Sequence, residues 1–544
     1  MAFGRKLFFA TLFISLLMET DSNPKDPWSG FAWYFHADLK SWLPQISLAL
    51  NPVEIAVIIV ALAWVLRGRY DRQFRFERGL LFWPIIGLLG TLAFGLLWGI
   101  AHGGDNFTVA LWELRALALC AIAYFLVGIL FTRRRDLDIL TWVILISSLL
   151  LGIECIVRYV FFLPGHIVGD LSYDHEDATL LASALVLSCA MLLLGSTRRQ
   201  KLFVLVSAPI ELIGMMLTHR RAGEAALVVG LVFLAVILFR VNRPVFLRVV
   251  PITALLFGIY LGVYWNCTSG TLCQPARAIN SQINPDPRDA ASNLYRDQEK
   301  QDLTLNIEVH PITGLGFGQP FVFYVPLPDL SFWPFWHYTS HNAILWVWVK
   351  TGMFGFILFW WLLGSGVYRG SRLIQALSAA GDYKGRALLA AGVILIVMQM
   401  TVSYVDLGLT SDRSMLLLGV MFGIIGHLPA ILRRSTGNEQ ASVRPLKAEP
   451  SRVLKTETPE MQVGALARVL VMPVEPETPR RPATTRTGAS SRWGQSNNTH
   501  PARTQTPSRW GQDDGTATRS RSSQRLSTSG QTISRSRDLH DQSG

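Results

Sequence analysis

Residues 108–131 read Thr108-Val-Ala-Leu-Trp-Glu-Leu-Arg-Ala-Leu-Ala-Leu-Cys-Ala-Ile-Ala-Tyr-Phe-Leu-Val-Gly-Ile-Leu-Phe131, and Arg133, Arg134 and Arg135 follow at once. An apolar run of this length suits a helix crossing about 30 Å of hydrocarbon, and the arginines that close it mark a cytoplasmic loop. The alternation recurs along the chain. Apolar segments lie near 52–66, 80–100, 139–157, 176–195, 201–218, 224–239, 247–264, 343–368, 387–404 and 412–432. A shorter one, Leu7–Met18, follows Arg5 and Lys6 and reads as a first span or as the core of a signal peptide. Counted as a span, it makes about twelve. The fold expected is an all-α polytopic membrane protein.

Loop charge sets the expected orientation. Basic residues crowd alternate loops: Arg67, Arg69, Arg72, Arg75 and Arg78; Arg133 to Arg135; Arg198, Arg199 and Lys201; Arg240, Arg243 and Arg248; Arg369, Arg372, Lys384 and Arg386. The positive-inside rule then places both termini in the cytoplasm and the long loop 265–342 outside. Cys267 and Cys273 fall in that loop and could form a disulfide in an oxidising compartment.

Composition agrees, once divided. The 544 residues are 50% hydrophobic and 16% charged, with mean hydropathy +0.32 and net charge +12. Residues 433–544 hold 18 Lys and Arg against 10 Asp and Glu, so +8 of the charge belongs to a polar tail. That tail repeats Ser-Arg-Trp-Gly-Gln at 491–495 and 508–512 and has too little apolar surface to offset chain entropy. It is expected to be a disordered basic cytoplasmic segment near anionic lipid, beside a membrane domain at 1–432. A soluble enzyme, a secreted disulfide scaffold and a nucleic-acid-binding domain fit poorly.

Ionisable residues at span ends mark candidate sites. On the expected outer face stand Glu113 and Arg115, then Arg220 and Arg221 in the turn Thr218-His-Arg-Arg-Ala-Gly-Glu224. Arg296 lies on a loop helix, His341 opens a span, and Asp406 and Arg413 bracket the last turn. Singly, each has a structural reading: Arg115 pairing with Glu113 or a neighbouring helix, Arg296 with Glu299 or Asp297, Arg220 and Arg221 reaching headgroups. Together, cations gather where topology should deplete them. Clustered guanidiniums suit a diphosphate, and a histidine beside them can move a proton near neutral pH.

Three further features are open in the sequence. The glycines of His310-Pro-Ile-Thr-Gly-Leu-Gly-Phe-Gly-Gln-Pro320 could bring backbone N–H groups to an anion, or make a compact re-entering turn. Asp174-His-Glu-Asp177 resembles an acidic metal cluster, but helix capping explains it with fewer assumptions, and no metal or cofactor is expected. Phe332-Trp-Pro-Phe-Trp336 reads as interfacial anchoring, with sugar stacking as the alternative.

The segment Arg296 to Phe359 resembles the O-antigen ligase and polymerase superfamily of bacterial membrane glycosyltransferases. The elements are Arg296, His310-Pro311-Ile-Thr-Gly314-Leu-Gly316, His341-Asn342 and Gly352-Met-Phe-Gly355. The family's Ser-Arg-Gly turn is similar to Arg220-Arg221-Ala222-Gly223, although His219-Arg220-Arg221 stands where the family has Ser-Arg; Arg221 is the better match. The resemblance covers about residues 50–432. It implies a bacterial inner-membrane enzyme that moves a glycan from an undecaprenyl diphosphate carrier to an acceptor on the periplasmic face. Lipid A–core would be the ligase's acceptor, another carrier-linked glycan a polymerase's, and a protein hydroxyl that of an O-oligosaccharyltransferase. It also implies inverting, metal-independent transfer, with Arg221 and Arg296 on the diphosphate, Arg115 and Arg220 in support, and His341 on the acceptor hydroxyl. The alternative from another class is a polyprenyl-linked glycan transporter, but the chain lacks an obvious repeat and its charges sit at one face.

Overall fold

A computed structural model of the chain describes residues 2–17, 50–70, 77–103, 107–161, 175–267, 270–328 and 335–442. Every regular element among them is helical. The membrane helices are α1 (Ala2–Leu17), α2 (Pro52–Tyr70), α3 (Phe82–Ala101), α4 (Phe107–Leu130), α5 (Arg134–Phe161), α6 (His175–Leu194), α7 (Arg198–Leu217), α8 (Arg221–Val241) and α9 (Arg243–Tyr264). The long loop holds α10 (Gln274–Ile283) and α11 (Pro287–Val309), and α12 (Ala343–Ala379), α13 (Tyr383–Val405) and α14 (Asp412–Ser442) complete the chain. Ten of the described helices are long and apolar enough to cross a membrane. The shorter α1 and the apolar part of α2, Pro52–Leu66, bring the apolar helices to about the expected twelve. The chain is a multi-pass membrane protein. The tail from 443 onward, with its repeat, lies outside the described residues, as do Asp174 and Phe332, Trp333 and Pro334.

Burial ranks the helices by depth in the bundle. The apolar window of α14 is 89% buried and packs along α4, whereas α9 has no fully buried residue and lies at the edge of the bundle. The first helix belongs to the core: Phe8, Leu12 and Leu16 are buried, and the carbonyls of Ser15 and Leu16 accept from the Arg413 guanidinium. Arg413 is itself fully buried against Asp177 at 2.7 Å. Carbonyls at helix ends, left without intrahelical donors, take the basic residues of the arginine-rich end. Arg369 donates to Leu80, Arg386 to Leu194, and Arg434 to Gly128 at 3.2 Å. Arg434 also pairs with Glu77, and Ser435 bonds the Ile431 carbonyl, so α14 continues past residue 432 to Ser442.

One break matters for the site. α12 is interrupted at Gly352, with φ 67° and ψ −175°, a conformation that is essentially glycine's alone. The break releases the Val349 and Lys350 carbonyls, and these accept from Leu315 N (2.7 Å) and Gly316 N (3.1 Å). Met353 N donates instead to the Pro311 carbonyl at 3.0 Å. Irregular backbone at this depth survives because protein groups replace the missing helical bonds. Residues 343–351 thereby become a short strut, set apart from the rest of α12. A Cβ on Gly352 would lie 2.0 Å from the Ile312 carbonyl oxygen. Gly352→Val is therefore expected to cost at least about 1–3 kcal/mol from backbone strain alone. Thermal denaturation in detergent would register a lowered midpoint, and an unchanged midpoint would show that the break is dispensable.

Candidate functional site

The site forms where the first residues of α6, α8 and α14, the last of α13, and the loop before α12 meet at one end of the bundle. A tight turn delivers the first two cations. His219 adopts φ 51°, an uncommon left-handed conformation for a non-glycine residue, and lets the chain reverse between α7 and α8 within three residues. Gly223 then allows close approach, because a Cβ there would sit 2.5 Å from that of Ala178. The start of α8 is thus pressed onto the start of α6, and Arg220 reaches His175, Nη1 to Nε2 at 2.6 Å. The other ring nitrogen of His175 contacts the carboxylate of Asp406. Arginine only donates, so Nε2 is the accepting nitrogen at this contact and Nδ1 the one turned to Asp406.

Arg221 points toward the loop helices. It donates to Ser281 Oγ on α10 at 3.2 Å and faces Asp289 on α11 at 3.4 Å. The cysteines of the long loop form a disulfide with their Cα atoms 5.7 Å apart, which ties the end of α9 to the start of α10.

One face of α11 carries Arg296, Glu299, Asp302 and Asn306 at helical spacing. The last three clamp the following loop. Asn306 bonds both backbone groups of Val322, at 2.8 and 3.0 Å, and Asp302 accepts from Tyr324 N and Val325 N, each at 2.7 Å. Glu299 accepts from His341 N at 2.9 Å, from its Nδ1 at 3.3 Å, and from the Tyr295 hydroxyl at 3.3 Å. Because Nδ1 is spent on a carboxylate, Nε2 of neutral His341 keeps its lone pair. Arg296 makes no ion pair or hydrogen bond among the described residues. It lies within electrostatic reach of both Arg221 and His341. Glu299, expected as a partner for Arg296, is committed to His341 instead.

The charges tune one another. Burial works against the charged form of His341, yet the hydrogen bond and charge of Glu299 and the charge of Asp406 outweigh it and Arg296, holding the imidazole above its ordinary value. Burial likewise opposes Asp406, but the hydrogen bond and charge of His175 and the charge of His341 hold its carboxyl below the usual range.

Two sequence readings change. The glycine loop offers no open anion cradle. Gly314, Gly316 and Gly318 all have positive φ, but Leu315 and Gly316 N bond the strut, Phe317 N bonds the Gly95 carbonyl at 3.0 Å, and Gly318 N bonds Glu113 at 2.5 Å. Its anion is the chain's own carboxylate, and the loop is the compact re-entering turn. Arg115 does not pair with Glu113 either. It faces Asp412 at 3.4 Å and Glu54 at 3.7 Å, while Glu113 pairs with Lys350 at 2.7 Å.

Asp174-His-Glu-Asp177 is divided: Asp174 lies outside the described residues, His175 turns to Asp406, and Asp177 to Arg413. Among the described residues no group of three or more His, Cys, Asp or Glu could hold a metal ion. Of the aromatic run, Phe335 stacks on Trp112 with centroids 3.9 Å apart. Sequence reasoning missed His175 as a partner of Arg220, and Lys350 altogether. The only signal for Lys350 was its place as a lone lysine inside an apolar run.

The fold and site together define a multi-pass membrane protein with a cationic, histidine-bearing centre at the helix ends. Residues 202–360 match a family described as O-antigen ligase, so this segment is similar to that superfamily. The match contains Arg220, Arg221, Arg296, His341 and Gly352, and leaves His175 and Asp406 outside. No curated protein matches the chain. Because Glu299 favours the imidazolium, Glu299→Gln is expected to lower the pKa of His341. Histidine NMR titration would show the His341 resonance moving to a lower midpoint, and an unmoved midpoint would refute the coupling.

Proposed function

We propose that the chain transfers a glycan from an undecaprenyl diphosphate carrier to an acceptor hydroxyl, in the manner of an O-antigen ligase. The observation that carries this reading is Arg296: a half-buried guanidinium with no carboxylate partner among the described residues, within electrostatic reach of Arg221 and His341. A cation held against other cations calls for an anion from outside the chain, and a diphosphate matches the guanidinium forks. Arg220, held by His175, and Arg115, held by Asp412 and Glu54, lie at the same end of the bundle and would support the binding field.

Chemistry follows from the tautomers. The acceptor hydroxyl attacks the anomeric carbon and gives its proton to Nε2 of His341. The bond from that carbon to the diphosphate oxygen breaks, and Arg221 and Arg296 take up the charge that develops on the leaving group. Glu299 accepts from Nδ1 throughout and stabilises the imidazolium that forms. Attack opposite the leaving group inverts the anomeric centre, and no step calls on a metal.

An external face for the site is supported by the arginine-rich opposite end and by the Cys267–Cys273 disulfide. In a bacterial inner membrane that face is periplasmic, the termini are cytoplasmic, and the donor must come on a lipid because sugar nucleotides stay inside. Residues 1–432 would be the transferase, and the basic tail an appendage near anionic lipid. Lipid A–core is the acceptor proposed, with a second carrier-linked glycan or a protein hydroxyl as the polymerase and O-oligosaccharyltransferase variants.

Reconstitution into proteoliposomes with an undecaprenyl diphosphate glycan and each acceptor in turn tests the reading. Transfer is expected with one acceptor, unaffected by chelator, and reduced about a hundredfold or more by Arg296→Ala and by His341→Ala. Arg221→Ala is expected to weaken use of the donor to a similar degree. Undiminished transfer in all three variants would refute the site.

A further inference from the structure

Glu113 and Lys350 are each fully buried, and their ion pair at 2.7 Å is part of a node joining three separate pieces of the chain. Glu113 belongs to α4, deep in the bundle. Its second oxygen accepts from Gly318 N at 2.5 Å, at the tip of the glycine loop. Lys350 belongs to the strut 343–351, and its ammonium also donates to the Gln319 carbonyl. One carboxylate and one ammonium thus pin both the loop and the strut to the same point on α4.

Each pinned piece leads to the site. His341 and Asn342 stand at the head of the strut, whose break at Gly352 removes the stiffness that continuous helix would have supplied. The loop runs from Gln319 into residues 321–325, which the α11 face bearing Arg296 and Glu299 clasps through Asp302 and Asn306. The Phe321 amide also donates to the His337 carbonyl at 2.9 Å, closing the loop back toward His341. A buried ion pair is a poor source of net stability, since desolvation offsets most of its attraction and an apolar pair of similar volume commonly does as well. What an apolar pair cannot supply is a directed grip on Gly318 N and the Gln319 carbonyl.

We infer that Glu113 and Lys350 are positioning residues that hold His341 and the Arg296 face of α11 in register for transfer. The inference rests on the glycan-transfer reading of that site. Neither residue touches substrate in it, so donor affinity belongs to the arginines and turnover to the register.

The test is Glu113→Leu/Lys350→Met in the full-length protein, reconstituted beside wild type and His341→Ala. The double variant is expected to fold, with a wild-type elution profile in detergent, and to keep donor KM within about twofold while kcat falls at least tenfold. Wild-type kcat in the folded double variant overturns the inference. If that variant fails to fold, Glu113→Asp keeps the charge but shortens the reach, and the same split between kcat and KM decides. Transfer by wild type that His341→Ala leaves intact would instead refute the transfer reading. The node would then be judged by the NMR titration of His341, which is expected to move toward the free-imidazole midpoint in the variant and, if unmoved, overturns the inference.

Discussion

A charged group among membrane helices has no water to turn to, so its partner must be supplied by the chain, and wherever that partner lies the backbone has to follow. Glu113 shows how far this reaches. Its carboxylate draws in Lys350 from a helix more than two hundred residues away and Gly318 from a loop, and both can come only because Gly352 interrupts α12. Arg413 does the same at the start of α14, where Asp177 and two carbonyls of α1 converge on it. These pairings fix which helix ends meet.

Against that background of satisfied charges, the site differs in kind. Arg115 is balanced by two carboxylates and Arg221 by one, but Arg296 is balanced by none among the described residues. The positive field is therefore concentrated on the side of His341, whose own proton is managed by Glu299 and whose lone pair is left outward. Asp406 sits within reach of His341 while holding His175, and His175 in turn holds Arg220. Arg220 and His341 are thereby coupled through one carboxylate.

Much of this was legible in the residues. Length and apolarity of the runs gave the helices, and the arginines of alternate loops gave the two ends, because both follow from the thickness of the hydrocarbon and the cost of moving charge through it. Arg221, Arg296 and His341 were legible as ionisable residues at or near span ends, and the structure brings them within electrostatic reach of one another. Other readings stayed open where only a long-range contact decides. Arg115 could pair with Glu113 or with a neighbouring helix, and each of the two found its partner on another helix, because positions two apart on a helix face different ways. The glycine loop could be an anion cradle or a compact turn for the same reason: its spare N–H groups were visible, whereas the carboxylate and carbonyls that occupy them were not.

The sequence by itself therefore determined the class of protein and the number of helices to within the two short ones. These are properties of composition and local spacing, set by one chain segment and its solvent. Which cation has no carboxylate partner among the described residues, and which histidine turns to Asp406 and which to Glu299, were decided only by tertiary structure. Each depends on a second residue brought from far along the chain, and hydrogen bonds of about 3 Å are too short for any sequence interval to imply.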